Sequence, residues 1–277
     1  MKKKWFLYFS RTMLVVMLPY LITILVNGPE TAMESRKFDV EMFLPVVVYA
    51  QISDSYEKET IKAQAVIART NFYRRMDSVE SLQEIAAEIK EKMSSTYSFF
   101  VFPKAVFENA VTETKGKVLT CNQELKLVPY HEISAGRTRD GEEVFHDEEY
   151  AYLKSVDSKM DKSSPEYLNS SYIKEQQMPG KLEITERDSA GYVMALLADG
   201  NTLLGEAFST GMGLSSANFT IQRIGGNMRF LCKGKGHGLG FSQYGGNELA
   251  KEGSTETEIL KYYFPEMEIQ DIETVKI

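Results

Sequence analysis

The chain has 277 residues, with 32 Lys and Arg against 39 Asp and Glu and a formal net charge of −7. Four of those cations fall in the first 26 residues, which hold no acid, so the rest of the chain sets 28 cations against 39 anions. That length suits one large domain or two small ones. The acidic balance argues against nucleic acid as a partner, because phosphate binding needs a basic face, but it does not exclude a neutral glycan.

Lys2, Lys3 and Lys4 precede a segment that is apolar from Trp5 to Val26 apart from Arg11 and a few hydroxyls. Its uninterrupted part, Thr12 to Val26, is short for a bilayer span of ~20 residues, but Trp5 to Ser10 extends it and Arg11 is placed to snorkel. Lysines before the span, and Glu30 and Glu34 after it, put the N-terminus inside and the bulk of the chain outside. An uncleaved anchor over residues 1–26 is expected, with a cleaved signal peptide as the alternative. No small-x-small site follows, and Pro29 crowds the position where one would fall. Residues 27–37 read as a polar linker and 38–277 as one extracytoplasmic domain.

Apolar residues resume at Phe38 and run to Ala50. Asp54-x-x-Glu57 reads as a capping box that opens a helix, with Ile61, Ala65, Ala68 and Phe72 on one face and Ala63 and Ala65 keeping it thin. Ser81-x-x-Glu84 is a second box, before an amphipathic run through Ile85, Ala86, Ile89 and Met93. From Ser98 the periodicity turns toward strands. Residues 118–120 and 125–128 predict a hairpin around Asn122-Gln123. Residues 182–185, 192–197 and 202–204 predict a meander, and 219–223 with 228–232 a further pair around Gly225-Gly226. Asp157 to Pro179 is polar and reads as a long surface loop. The last helix opens with the box Thr255-x-x-Glu258 and carries Ile259, Leu260, Tyr263 and Phe264. The class is α+β: antiparallel meanders with segregated helices, preceded by an N-terminal transmembrane helix.

The most informative stretch is Gly234 to Gly246, GKGHGLGFSQYGG. Alternate glycines permit φ > 0 and let a bulky ligand touch main chain, while His237 stands without shielding neighbours. A hydroxyl-rich ligand, a sugar polymer first, suits such a loop. The phosphate-cradle reading fails because no Gly-Lys-Ser/Thr closes the run, and Tyr244 stands where a nucleophile elbow needs glycine. A structural tight turn remains the plain alternative. Cys121 and Cys232 allow either a disulfide or two free thiols, and no paired spacing suggests zinc.

Four stretches together resemble the stage II sporulation protein D (SpoIID/LytB) family. They are Tyr49-Ala-Gln-Ile with Ile61-Lys-Ala-Gln-Ala-Val-Ile-Ala-Arg-Thr; His131-Glu-Ile-Ser-Ala-Gly-Arg-Thr; Gly236-His-Gly-Leu-Gly-Phe-Ser-Gln-Tyr-Gly; and Glu258-Ile-Leu-Lys-Tyr-Tyr-Phe-Pro. They fall in the family's order over roughly residues 43–269. The resemblance implies a lytic transglycosylase that cleaves peptidoglycan glycan strands once an amidase has removed the stem peptides, during engulfment in sporulation. In that chemistry one protonated carboxyl serves as acid and then base, and nearby polar groups steady the charge on the sugar.

The family's acid is a glutamate just before the Lys-Ala-Gln-Ala helix, and here that position is Gln51, an amide with no proton to give. Asp54, Glu57 and Glu132 are the nearest substitutes, the first two at helix-cap spacing. The resemblance further implies that Gln64 and Arg69 brace the site. His131, Ser134 and Gly136 form one wall; Gly236, His237, Gly238, Ser242, Gln243 and Tyr244 form the other. No cysteine lies near His131, so no metal is expected, and no cofactor. The expected partners are glycan strands, a cell-wall amidase, membrane partners of an engulfment complex, and the membrane itself through the N-terminal helix. A non-catalytic, glycan-binding scaffold that positions an amidase is the alternative function. A nucleotide-dependent enzyme is opposed by the topology and the acidic balance.

Overall fold

The computed structural model describes residues 40–75 and 104–275. The chain divides into two compact units, 1–42 and 43–277, and apart from the first three residues of one helix the elements below belong to the second. The anchor, the linker and the helix expected after Ser81 lie outside the described residues. Among the described residues no helix is long and apolar enough to cross a membrane.

Helix α1 (Val40–Gln51) carries Pro45 and ends at Gln51. Helix α2 (Lys58–Arg74) is the central rod of the domain: 11 of its 17 residues are buried, among them Ala63, Ala65 and Ala68, whose small side chains let neighbours approach. It begins one turn later than the Asp54 box predicts, and Glu57 makes no side-chain cap bond. The cap comes instead from a distant element, because the Glu57 backbone N–H donates to Asn247 Oδ1 at 2.7 Å. Asp54 is paired with Lys104 and caps nothing.

Helix α3 (Ala105–Glu113) stands where strand periodicity was expected. It buries Phe107, Ala110 and Val111, one face at helical spacing. Strands β1 (Lys117–Cys121) and β2 (Glu124–Leu125) then form the predicted hairpin. Asn122 and Gln123 have φ of 53° and 66°, the left-handed pair of a two-residue turn that matches strand twist. The second strand is shorter than predicted because Val128 leaves the sheet to pair with a side chain. Its N–H donates to Asn71 Oδ1 at 2.9 Å, and its carbonyl accepts from Asn71 Nδ2 at 2.7 Å.

After β3 (Tyr130–His131) comes a short helix, α4 (Gly141–Phe145). Residues 157–179, expected as a surface loop, carry a 3₁₀ turn at Lys159–Ser163 with a buried Asp161, and strand β4 (Leu168–Lys174). The meander of β5 (Leu182–Arg187), β6 (Val193–Ala198) and β7 (Asn201–Leu204) forms one sheet and leads into α5 (Gly205–Gly211), which was not predicted. Strands β8 (Phe219–Ile224) and β9 (Asn227–Lys233) pair as expected, and β4 adds to the free side of β9.

The chain closes with β10 (Phe241–Ser242), α6 (Gln243–Lys251), α7 (Glu256–Tyr263) and β11 (Glu268–Asp271), which pairs with β1. Helix α7 has the predicted capping box: Glu258 N–H donates to Thr255 Oγ1 at 3.3 Å, and Thr255 N–H donates to Glu258 Oε2 at 2.8 Å. The class is α+β, and among the described residues every sheet except one pairs antiparallel.

Two apolar cores are formed wholly by described residues. One joins Val66 and Ile67 of α2 to Leu119, Phe241, Ile259, Leu260 and Phe264. The other is set between the two larger sheets and α5 and contains Val193, Leu196, Phe208, Phe219 and Phe230. Both cysteines are free thiols, Cys232 in the second core and Cys121 half-buried beside the first.

Candidate functional site

The exception to antiparallel pairing builds the site. Strands β3 and β10 run parallel for two residues, setting Tyr130 beside Phe241 and His131 beside Ser242. Single bridges extend the seam, joining Ile133 to Lys235 and Arg139 to Leu239. The 131–138 and 236–245 motifs thus form a continuous wall, with α1 and the turn after it opposite. Between them lies an open groove of about 1280 Å³. Gln51, His131, Gly236, His237 and Gln243 line it, together with the aromatic side chains of Tyr49, Tyr56 and Tyr130.

Gln51 is locked by two other glutamines. Gln64 Nε2 donates to Gln51 Oε1 at 2.8 Å, and Gln243 Nε2 donates to Gln64 Oε1 at 3.0 Å and to the Gln51 backbone carbonyl at 2.9 Å. This network fixes the amide orientation by its own logic: Oε1 of Gln51 faces Gln64, and its NH₂ is left without a partner among the described residues. Position 51 therefore offers the groove a fixed hydrogen-bond donor and no titratable proton.

The two histidines lie 5.7 Å apart, centroid to centroid. His131 Nδ1–H donates to the Leu239 carbonyl at 3.0 Å, whereas its Nε2 is buried with no partner among the described residues. Burial, then the neighbouring His237, drives its pKa down to about 3. Neutral His131 thus keeps a bare lone pair in the interior, beneath the groove surface. His237 is tied on both sides: Nδ1 accepts the Leu239 N–H at 3.1 Å, and the Tyr130 backbone supports its protonated form. Burial and then Arg139 bring it down to about 4.

Beneath the wall sits Asp161. It accepts the Ser134 N–H at 2.9 Å on one oxygen and the Ser242 hydroxyl at 2.9 Å on the other, joining the two motifs from below. Burial raises its carboxyl above the usual range. Gly238 has φ +80°, and a Cβ there would sit 2.5 Å from the Tyr192 hydroxyl oxygen, so only glycine lets the loop lie on that ring. The same hydroxyl accepts the Ala135 N–H at 3.1 Å.

The remaining expected residues stand behind or apart from the groove. Ser134, Gly136 and Ser242 belong to the Asp161 layer, with the Gly136 N–H on Ser134 Oγ at 3.1 Å. The Tyr244 hydroxyl lies 3.3 Å from Ser163 Oγ. Arg69 is fully buried elsewhere, its guanidinium donating to the carbonyls of Val111 at 3.0 Å and Lys117 at 3.2 Å, which ties α2 to α3 and β1.

Several residues of the site went unnoticed in the sequence. Arg139, fully buried, donates Nε to Asp188 at 2.5 Å, pairs through Nη1 with Glu206, and donates from Nη1 to the His237 carbonyl at 3.1 Å. Its guanidinium stacks 4.8 Å from the Tyr192 ring centre. Among the described residues no three His, Cys, Asp or Glu side chains cluster as metal ligands would.

A polar groove walled by two glycine- and histidine-bearing loops over an α+β frame is thus the class of protein described. A family model for stage II sporulation protein matches residues 30–121. The chain is 30% identical over 259 residues to stage II sporulation protein D of Bacillus subtilis (strain 168), covering 84% of this chain and 74% of that protein. It is 29% identical over 262 residues to stage II sporulation protein D of Bacillus amyloliquefaciens, covering 85% and 75%. It is also 23% identical over 272 residues to an uncharacterized protein of Brachyspira hyodysenteriae. The chain belongs to the stage II sporulation protein D family.

Proposed function

We propose that this protein works outside the cell membrane on peptidoglycan glycan strands already stripped of stem peptides, as a lytic-transglycosylase-type protein of sporulation or wall remodelling. An N-terminal anchor would hold it there, and a stem-peptide amidase would act before it. One observation carries the reading: residues from three separate sequence motifs converge on one open groove whose groups suit a sugar polymer. The Gln51 NH₂ is a donor without a protein partner among the described residues. Tyr49, Tyr56 and Tyr130 supply flat apolar faces against which pyranose rings can pack. The volume exceeds that of an ordinary small-molecule pocket, as a stretch of polymer requires.

The test is retention of the full chain on denuded glycan strands compared with peptide-bearing peptidoglycan. Retention on denuded strands, weakened at least tenfold when stem peptides remain, is expected. Equal indifference to both overturns the reading. A second reading, a scaffold that binds strands without cutting them and positions the amidase, is favoured by the locked amide at position 51. It requires that retained strands stay intact.

A further inference from the structure

We propose that Glu206 is the proton-donating residue of this groove, doing the work that Gln51 cannot. The inference rests on the glycan-strand reading and adds to it the identity of the acid.

Among the described residues four carboxylates line the groove: Asp54, Glu132, Glu166 and Glu206. Asp54 is held below the usual carboxylate range by its bond to Lys104. Glu132 and Glu166 share Lys235, at 2.5 Å and 3.2 Å. Both of these glutamates stand largely in solvent, 54% and 62% exposed, on a lysine that is itself 39% exposed.

Glu206 differs because the cation it shares, and the carboxylate it shares it with, are both buried away from solvent screening. Arg139 supplies one positive charge to two carboxylates, Asp188 and Glu206. Asp188 has the stronger hold: its side chain is 0% exposed, it takes Nε, and it accepts the Tyr192 N–H at 2.7 Å. The surplus negative charge therefore falls on Glu206, whose side chain is 45% exposed toward the groove and which pairs with no second cation among the described residues. One proton on Glu206 makes the trio neutral. Burial raises its carboxyl above the ordinary range, against the pull of Arg139.

The fold delivers Glu206 to this place. Gly205 opens α5 directly after β7, and a Cβ at Gly205 would collide with the Val193 carbonyl, so glycine lets the first turn press onto β6. The same Arg139 Nη1 that meets Glu206 also meets the His237 carbonyl, which sets the carboxyl on the histidine wall.

The reaction balances on this one group. Protonated Glu206 gives its proton to the glycosidic oxygen as the bond from C1 to that oxygen breaks. The 6-hydroxyl oxygen of the same muramic acid bonds to C1, and its proton goes to the Glu206 carboxylate, restoring the acid. No water is consumed. His131, buried and neutral, takes no proton in either step.

The full chain is incubated with denuded glycan strands, and 1,6-anhydromuramic ends are counted by mass spectrometry from about pH 4.5 to about pH 7.5. Wild type is expected to form them. Glu206→Gln, which keeps an acceptor for Arg139, is expected to lower the rate at least ~100-fold and to leave strand retention within about twofold. Strands retained but uncut by wild type, or cut equally by Glu206→Gln, overturn the proposal and leave the binding reading standing. Strands not retained at all overturn the reading, and the proposal with it. Should Glu206→Gln fold poorly, ¹³C NMR of the wild-type carboxyl decides: titration above the ordinary glutamate value is expected, and titration at or below it overturns the assignment.

Discussion

The two groove histidines make the domain sensitive to mild acid, and the size of the effect follows from their burial. Burial holds the pKa of His131 down to about 3 and that of His237 down to about 4, against 6.5 for a free imidazole. The unfolded chain therefore binds protons that the folded chain refuses, so the stability is fully present above 6.5 and is lost as pH falls toward 4 and 3. Between about pH 7.5 and about pH 5 each histidine removes about 2 kcal/mol, since one pKa unit is worth about 1.4 kcal/mol. Together they remove about 4 kcal/mol, much of the margin of an ordinary domain.

Asp161 and Glu206, both raised, contribute in the opposite sense and stabilise as pH falls, so the comparison is with a variant. His131→Asn retains a donor for the Leu239 carbonyl and removes the titration. Urea unfolding at the two pH values should show the variant losing about 2 kcal/mol less than wild type. Equal losses, or an imidazole that titrates near 6.5 by NMR, would refute the reasoning.

Three further outcomes follow from contacts already described. Asp161→Ala strands the Ser134 N–H and the Ser242 hydroxyl under the wall and should cost about 2–4 kcal/mol by chemical denaturation, with Asp161→Asn milder. Gly238→Ala combines a left-handed φ with a collision against Tyr192 and should lower stability by about 3 kcal/mol or more, visible as a fall in Tm of well over 5 °C. Arg69→Met keeps bulk but abandons the carbonyls of Val111 and Lys117, and should destabilise by about 3 kcal/mol in urea while leaving strand retention by the folded fraction intact.

What could be read from the sequence was what local chemistry decides. The hairpin turns at Asn122-Gln123 and Gly225-Gly226 take positive φ at both positions, and three of these four residues are Asn or Gly, the types that accept it most readily. The Thr255 box is likewise local. What escaped was decided by distant partners. Asn247 caps α2 across 190 residues, and Asn71 stands in for a strand beside Val128. Strand β4 contains Asn169-Ser170-Ser171 and has no apolar alternation to reveal it; its place is fixed by pairing along β9.

The candidate site divides the same way. Residues of its walls stood in motifs of unusual composition, so they could be named. Asp161 meets Ser242 across 81 residues from within an ordinary polar stretch, and Glu206 meets Arg139 across 67. No pattern within either neighbourhood announces the encounter.

The two-residue parallel seam between Tyr130-His131 and Phe241-Ser242 also sets when the groove comes into being. Its halves are separated by more than a hundred positions, so the chain entropy of closing that loop must be met before the seam yields anything in return. A polypeptide made from its N-terminus exposes the His131 half long before its counterpart. Such a nascent chain has no groove until Phe241 and Ser242 have emerged.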